Sequence, residues 1–221
     1  MKKKFVLIIT LVFCMGVFNV SAQKIKGAII GGTNLSQVDG DEVFGFRKLG
    51  WNVGVAAIVP IGNNFSLSLE NSFSQKGAYQ KTQYSDSIYS GEYSLKLNYV
   101  EIPVMIHYTD RDIITVGTGL AWARLLSADE EENSGATTPY TDQVKFNKND
   151  LLWKFDIRFR LIDKLKMNIQ YSYSLKNIRE RVFTPPSSNE EWSRKQYNNL
   201  ITFRLIYVFN EKPSLKKSNT N

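Results

Sequence analysis

The sequence predicts an all-β fold, an eight-stranded antiparallel up-and-down transmembrane β-barrel, and three observations lead there. Apolar and polar residues alternate through residues 153 to 176, on both sides of a two-residue turn at Asp163 and Lys164. Most of the alternating runs in the chain reach ten residues or more, close to the ~9–11 that cross a tilted bilayer. The connections between runs are alternately tight and long.

A period of two is the strand period, because successive side chains point to opposite faces of a sheet. One face of the 153–176 hairpin carries Trp153, Phe155, Ile157 and Phe159, then Met167, Ile169, Tyr171 and Tyr173. The other carries Lys154, Asp156, Arg158 and Arg160, then Lys166, Asn168, Gln170 and Ser172. Such a hairpin has two homes. In a soluble sandwich the apolar face meets a second sheet; in a membrane barrel it meets lipid and the charges line the inside. The connections favour the barrel. Tight links at 61–63, 109–112 and 163–164 alternate with long polar ones at 35–48, 77–92, 127–150 and 178–196, and in an up-and-down barrel every second turn falls on the same rim.

The chain begins with Lys2, Lys3 and Lys4, an apolar run from Phe5 to Val20, and Val20-Ser21-Ala22. A basic start, a short apolar run and small residues before Gln23 predict a signal peptide over 1–22, cleaved after Ala22. The run is shorter than the ~20 residues of a spanning helix. Cys14, the only cysteine, lies inside it and follows Phe13, where lipidation wants a small residue. The mature chain therefore has neither disulfide nor thiol chemistry. Losing three lysines takes the formal charge from +7 to +4. Many positive residues sit at every second strand position and form no exposed patch, so nucleic acid is not an expected partner. No other stretch approaches 18 apolar residues, which excludes a helical membrane protein.

The barrel domain is expected over 23–209, with a polar, disordered periplasmic tail over 210–221. Its eight strands are expected near 24–34, 49–60, 64–76, 93–108, 113–126, 151–162, 165–177 and 197–209. Strand two offers Trp51, Val53, Val55, Ala57 and Val59 outward, and strand three offers Phe65, Leu67, Leu69 and Phe73 against Ser66, Ser68, Glu70, Ser72 and Ser74. Asn71 shares that outward face without a reason in the pattern, and Arg124 shares the outward face of strand five. Strand four changes parity: Leu95, Leu97 and Tyr99 share one face, Val100, Ile102, Val104 and Ile106 the other. Either the first set stands above the membrane or a bulge intervenes. Strand five sets Ile114, Val116, Leu120 and Trp122 against Thr115, Gly117, Gly119, Ala121 and Ala123, and the last strand offers Ile201, Phe203, Leu205, Tyr207 and Phe209. Small residues opposite large ones fit a narrow barrel. Trp51, Trp122, Trp153 and Tyr173 fall toward the long-loop rim and Tyr207 and Phe209 toward the other, as two interfacial aromatic girdles would.

The expected interior charge network is Glu70, Glu101, Lys154, Asp156, Arg158, Arg160, Lys166 and Arg204, joined by Lys76 and Lys176. Eight strands leave room only for side chains, and an unpaired buried charge is costly, so a plugging network is expected in place of an anion-selective pore. Phe155→Arg is expected to impair insertion far more than Ser172→Arg. His107, the only histidine, falls near a short turn and six residues from Glu101; no catalytic residue, metal or cofactor is assigned. Asp129-Glu130-Glu131-Glu132 reads as a solvated loop run. Exposed tyrosines and Trp192, with Pro185-Pro186 as stiffening, suit the long loops to adhesion or docking.

The motifs Gly31-Gly32-Thr33-Asn34-Leu35, Ser74-Gln75-Lys76-Gly77, Leu97-Asn98-Tyr99-Val100-Glu101-Ile102-Pro103, Tyr171 with Leu175-Lys176-Asn177-Ile178, and Asn198 with Tyr207-Val208-Phe209 occur in order over nearly all of the mature chain. In these the sequence resembles the PorT-like outer-membrane beta-barrel domain family of one large group of Gram-negative bacteria. The resemblance implies an eight-stranded outer-membrane barrel with both termini in the periplasm and no agreed activity; some relatives take part in protein secretion and gliding. The expected function is a non-enzymatic barrel displaying surface loops for binding, adhesion or assembly with a membrane partner. A small channel or secretion component, and a soluble periplasmic sandwich, are the alternatives. The expected partners are outer-membrane lipid and an unidentified protein or surface ligand at the loops.

Overall fold

The computed structural model describes residues 25–41, 43–81, 92–133, 145–183 and 192–211. The expected signal peptide with Cys14, Pro185-Pro186 and the tail from 212 lie outside the described residues. The strands are β1 (Lys26–Asp39), β2 (Lys48–Pro60), β3 (Phe65–Gln80), β4 (Glu92–Asp110), β5 (Ile114–Asn133), β6 (Asn149–Ile162), β7 (Leu165–Ser174), β8 (Arg179–Phe183) and β9 (Trp192–Val208). Neighbours pair antiparallel, and β9 returns to pair with β1 from Ala28↔Val208 to Asp39↔Tyr197. Closure leaves the ring of β1 to β7 and β9 without an open edge, which a lipid phase requires because it offers no hydrogen bonds to the backbone. The ring overturns the sandwich alternative.

The ring has eight staves, because β7 and β8 are two pieces of one. The lower part of β9 pairs with β7, from Leu165↔Tyr207 to Tyr173↔Asn199, and its upper part pairs with β8, from Arg179↔Gln196 to Phe183↔Trp192. Residues 178–196, expected as one long loop, therefore include β8 and the start of β9. Lys176, expected inside, is exposed in the break between the two pieces.

Two strands overshoot the membrane. β4 has 19 residues and β5 has 20, about twice what a tilted bilayer crossing needs. Asp129–Glu132, expected in a loop, accordingly lies on β5, opposite Tyr93 to Lys96. Charges cost little on a strand that has left the lipid, so the ladder continues through them.

The parity change in strand four has a different cause from a bulge there. Tyr93, Leu95, Leu97, Tyr99, Glu101, Met105 and His107 are all buried inside without a switch of face. What changes along β4 is the interior itself, apolar above and polar below. The bulge lies in β5 at Leu126, since Asn98 pairs with Ser127 but Tyr99 with Leu125.

The outer wall is apolar, with Trp51, Val55, Leu69, Leu120, Phe155 and Leu205 among its exposed side chains. Arg124 on this wall donates to Asn149 Oδ1 at 3.0 Å, at the start of β6 and so at the rim, where a charge costs about 0–1 kcal/mol. Asn71 faces outward where the β3–β4 ladder skips between Leu69↔Val104 and Ser72↔Glu101, beside Pro103, which has no N–H to give. The structure offers no reason for a polar side chain there.

Candidate functional site

Because inward positions recur at every second residue, the barrel stacks its interior in zones. Toward the long-loop end, Val38, Leu95, Leu97, Tyr99, Ala121, Ala123, Leu152, Ile178 and Leu200 form one buried apolar cluster drawn from strands all round the ring. A smaller cluster of Ala28, Ile30, Ala56, Ile58, Ile206 and Val208 lines the β9–β1–β2 wall near the short turns. Between them lie the charges.

Two knots hold those charges. In one, Glu101 lies 2.6 Å from Lys76 Nζ and accepts from Lys154 Nζ at 2.7 Å. Lys154 also donates to Gln170 Oε1 at 3.2 Å, and Lys76 sits 4.6 Å over the Tyr99 ring. In the other, Glu70 bridges Arg158 (3.2 Å) and Arg204 (3.0 Å), and Arg158 Nε donates to Asp156 Oδ2 at 2.9 Å. Asn168 donates to Asp156 at 3.0 Å and accepts from Arg204 Nε at 2.8 Å. His107 Nε2 lies 3.3 Å from Asp156 Oδ1. Gly117 makes that approach possible, because a Cβ there would lie 2.2 Å from His107 Cδ2 and 2.5 Å from Asp156 Oδ1.

Asp150, buried nearby, accepts from Ser174 at 2.7 Å and Asn198 at 2.9 Å. In mid-barrel the buried cations Lys76, Lys154, Arg158 and Arg204 are thus matched in number by the buried carboxylates Glu70, Glu101, Asp150 and Asp156. Balance of this kind is what a low-dielectric interior demands. Tyr99, Lys76, Glu101, Met105 and Asp156 have no exposed surface at all, so no water-wide lumen runs past them.

Each end of the barrel has a charged cluster of its own. At the long-loop end Arg179 grips Glu130 with both guanidinium arms, at 2.6 and 2.9 Å, stacks 4.1 Å over Phe146 and donates to Gln196 at 2.8 Å. Tyr93 adds a 2.8 Å hydrogen bond to Glu130. Burial raises the Glu130 carboxyl, and the Arg179 pair outweighs it and holds the group below the usual carboxylate range. The knot ties β4, β5, β8 and β9 together. Beside it, the turn after β1 tucks Val43 into the apolar cluster and buries Asp41, whose Oδ1 accepts from Val43 N at 2.9 Å. Burial pushes that carboxyl up to about 7.

At the short-turn end the chain folds back over the mouth. Val208 N donates to Lys164 O and Phe209 N to Gly27 O, Asn210 takes a left-handed φ of 57°, and Glu211 enters a ring of cations. Its carboxylate lies 3.1 Å from Lys26, 2.8 Å from Arg160 and 3.3 Å from Lys166. Glu211, expected in a polar, disordered tail, thus belongs to the barrel mouth, because three cations there draw it in. Arg160 and Lys166 belong with it and lie apart from the central knots.

The family model for the outer membrane protein beta-barrel domain matches residues 19–180. The chain belongs to that family. Among solved structures it is similar to Ail, the attachment invasion locus protein of Yersinia pestis, at 12% identity and TM-score 0.44, over 84% of this chain and 99% of that one. It is similar also to OprG of Pseudomonas aeruginosa, at 13% identity and TM-score 0.45, over 85% and 97% of the two chains. The Neisserial surface protein A matches at 7% identity and TM-score 0.42, over 84% and 96%. The comparison with curated proteins returned no match.

As an outer membrane protein β-barrel, the molecule sits with its apolar wall in lipid. Trp51, Trp122, Trp153 and Tyr173 stand on the outside of the wall in its long-loop half, where Tyr173 stacks on Tyr197 at 6.0 Å. Tyr207 and Phe209 meet edge to face at 5.3 Å beside the short turns, and the Phe65–Tyr108 pair, at 5.2 Å, stands at the same end of the barrel. No group of three metal-ligating side chains occurs among the described residues. Of the functional groups, sequence reasoning missed Asp150, which lies one residue before its expected strand six yet keeps the inward parity. It missed the His107–Asp156 pairing too, since only register brings those residues together.

Proposed function

We propose that this chain is a closed, non-enzymatic outer-membrane platform of the PorT-like kind, exported by a signal peptide cleaved after Ala22. Its long-loop end carries the function, through binding, adhesion or assembly with a membrane partner. The observation that supports this reading is the filled interior: with the charges paired and the apolar cluster above them, chemistry and recognition fall to the rims. The Glu130–Arg179 knot and the buried Val43 turn give the loops a rigid base, and rigid bases favour docking by lowering the ordering cost of a partner complex.

Two measurements test it. The full-length protein in planar bilayers should give no stepwise conductance, and regular single-channel steps would favour a transport role. Shortening the 134–144 connection between β5 and β6 should leave the heat-dependent gel shift of a closed barrel intact and reduce capture of a surface partner. Loss of the shift would show instead that this segment is needed for folding.

A further inference from the structure

The cation ring at the short-turn mouth is more than a tether for the chain end. Lys26, Arg160 and Lys166 converge on one carboxylate, so two positive charges stay uncompensated by Glu211. Arg160 is nine-tenths buried, yet its Nε and Nη1 have no hydrogen-bond partner among the described residues. Beside them is a cavity of about 100 Å³ lined also by Asn64, Ser66, Thr109 and Asp112. Buried guanidinium groups ordinarily have their donors satisfied. Here Arg160 lines the cavity, and its two unfilled donors are covered from water while Glu211 is seated.

We propose that this mouth is a binding site for a phosphoryl group, and that Glu211 is its built-in occupant, displaced when the ligand enters. The charge arithmetic selects the class. Three cations less Asp112 leave +2 once Glu211 swings out, which a phosphate monoester dianion neutralises and a lone carboxylate does not. The donor geometry agrees, because a guanidinium fork with two ammonium groups matches three phosphoryl oxygens. Short turns face the periplasm in barrels of this class, so the ligand arrives from that side. It comes either as a free phosphate or as a lipid headgroup ending in one, since the mouth lies beside the inner-leaflet headgroups. The site is independent of the role proposed for the long loops.

The test uses the full-length barrel in maltoside micelles, which contain no phosphate. One arm titrates inorganic phosphate by calorimetry; the other dopes the micelles with phosphatidic acid and measures its retention on the protein. Glu211→Gln removes the competing carboxylate and should tighten binding about tenfold, the size of one charge-assisted hydrogen bond. Misfolding cannot produce such a gain. Arg160→Gln should weaken binding by tenfold or more, with Lys166→Gln as a second loss variant, each checked for the heat-dependent gel shift. Binding in the first arm identifies free phosphate as the ligand, and binding in the second alone identifies the lipid. The proposal is overturned if Glu211→Gln gains nothing in either arm, or if a correctly folded Arg160→Gln binds as the parent does.

Discussion

Glu101 and Glu130 each hold two cations, and they differ mainly in their access to water. Glu101 sits in mid-barrel between Lys76 and Lys154, with no more than 3% of any of the three side chains exposed. Glu130 sits at the long-loop end between Arg179 and Arg181, with 22% of its side chain exposed. At Glu101 no solvent can take over if a partner is lost. At Glu130 it can. The interior knots therefore fix which barrel forms, whereas the rim knot sets how firmly the loops sit on it.

The sharpest way to break this contrast is Glu101→Gln. It leaves Lys76 and Lys154 facing each other without a counter-charge, and should cost about 3–5 kcal/mol in urea unfolding of the lipid-embedded barrel. Adding Lys76→Met and Lys154→Met should recover most of that loss, because an apolar filling avoids the desolvation of all three charges. If the triple variant is as weak as the single one, the knot has a stabilising role that charge balance does not explain.

Next in size is the wall itself. Phe155 points to lipid, and Phe155→Arg should cost about 2–4 kcal/mol near the midplane. Ser172, directly across from Lys154 on the inner face, is expected to take arginine with far less harm than Phe155. The filled interior narrows that difference: Ser172 is 1% exposed, and a new cation there would meet Lys154 and leave the buried charges out of balance. Both variants should lower the unfolding midpoint, and an unperturbed Ser172→Arg barrel would mean that the interior holds more water than its packing allows. Gly117→Ala is a smaller probe of the same packing. Its methyl would collide with His107 and Asp156, for about 1–3 kcal/mol of overpacking, whereas Thr118→Ala on the outer face should move the midpoint less.

At the rim, Glu130→Gln should cost only about 0–1 kcal/mol globally, as partly solvated ion pairs do. Its effect should be local, as faster proteolysis in 134–144 and 184–191 with the gel shift unchanged. Equal losses for Glu101→Gln and Glu130→Gln would erase the distinction between the two knots.

The sequence made the wall legible because parity is strict: Val53, Leu69, Leu120, Phe155 and Phe203 each fall outward where period two puts them. The inward charges followed from the same rule. Partners did not, because pairing across a barrel depends on register and tilt. His107 meets Asp156 only since Gly117 lies between their strands, and Glu211 meets Lys26 across a sequence separation of 185. Strand ends were also illegible wherever charges ride on strands beyond the lipid, as at Asp129 to Glu132, because the alternation that marks a strand needs an apolar environment to enforce it.

The mildest test concerns the turn after β1, where Asp41 links the rim to the buried apolar cluster. Burial is the largest influence on its carboxyl and raises it from 3.8 to about 7, against the lowering effects of the Val43 amide and the nearby Arg179 charge. The sign follows from proton binding. Between pH 4 and 7 the closed turn holds a proton that the open turn releases, so closure weakens as pH rises through that window and levels off above it. Amide exchange at Val43, corrected for its intrinsic pH dependence, should show a more protected turn at pH 5 than at pH 8. Asp41→Asn should flatten the profile, since its amide cannot ionise. Protection that rises with pH in the parent would mean that the carboxylate is the favoured form in the closed turn, with the Val43 hydrogen bond and Arg179 outweighing burial.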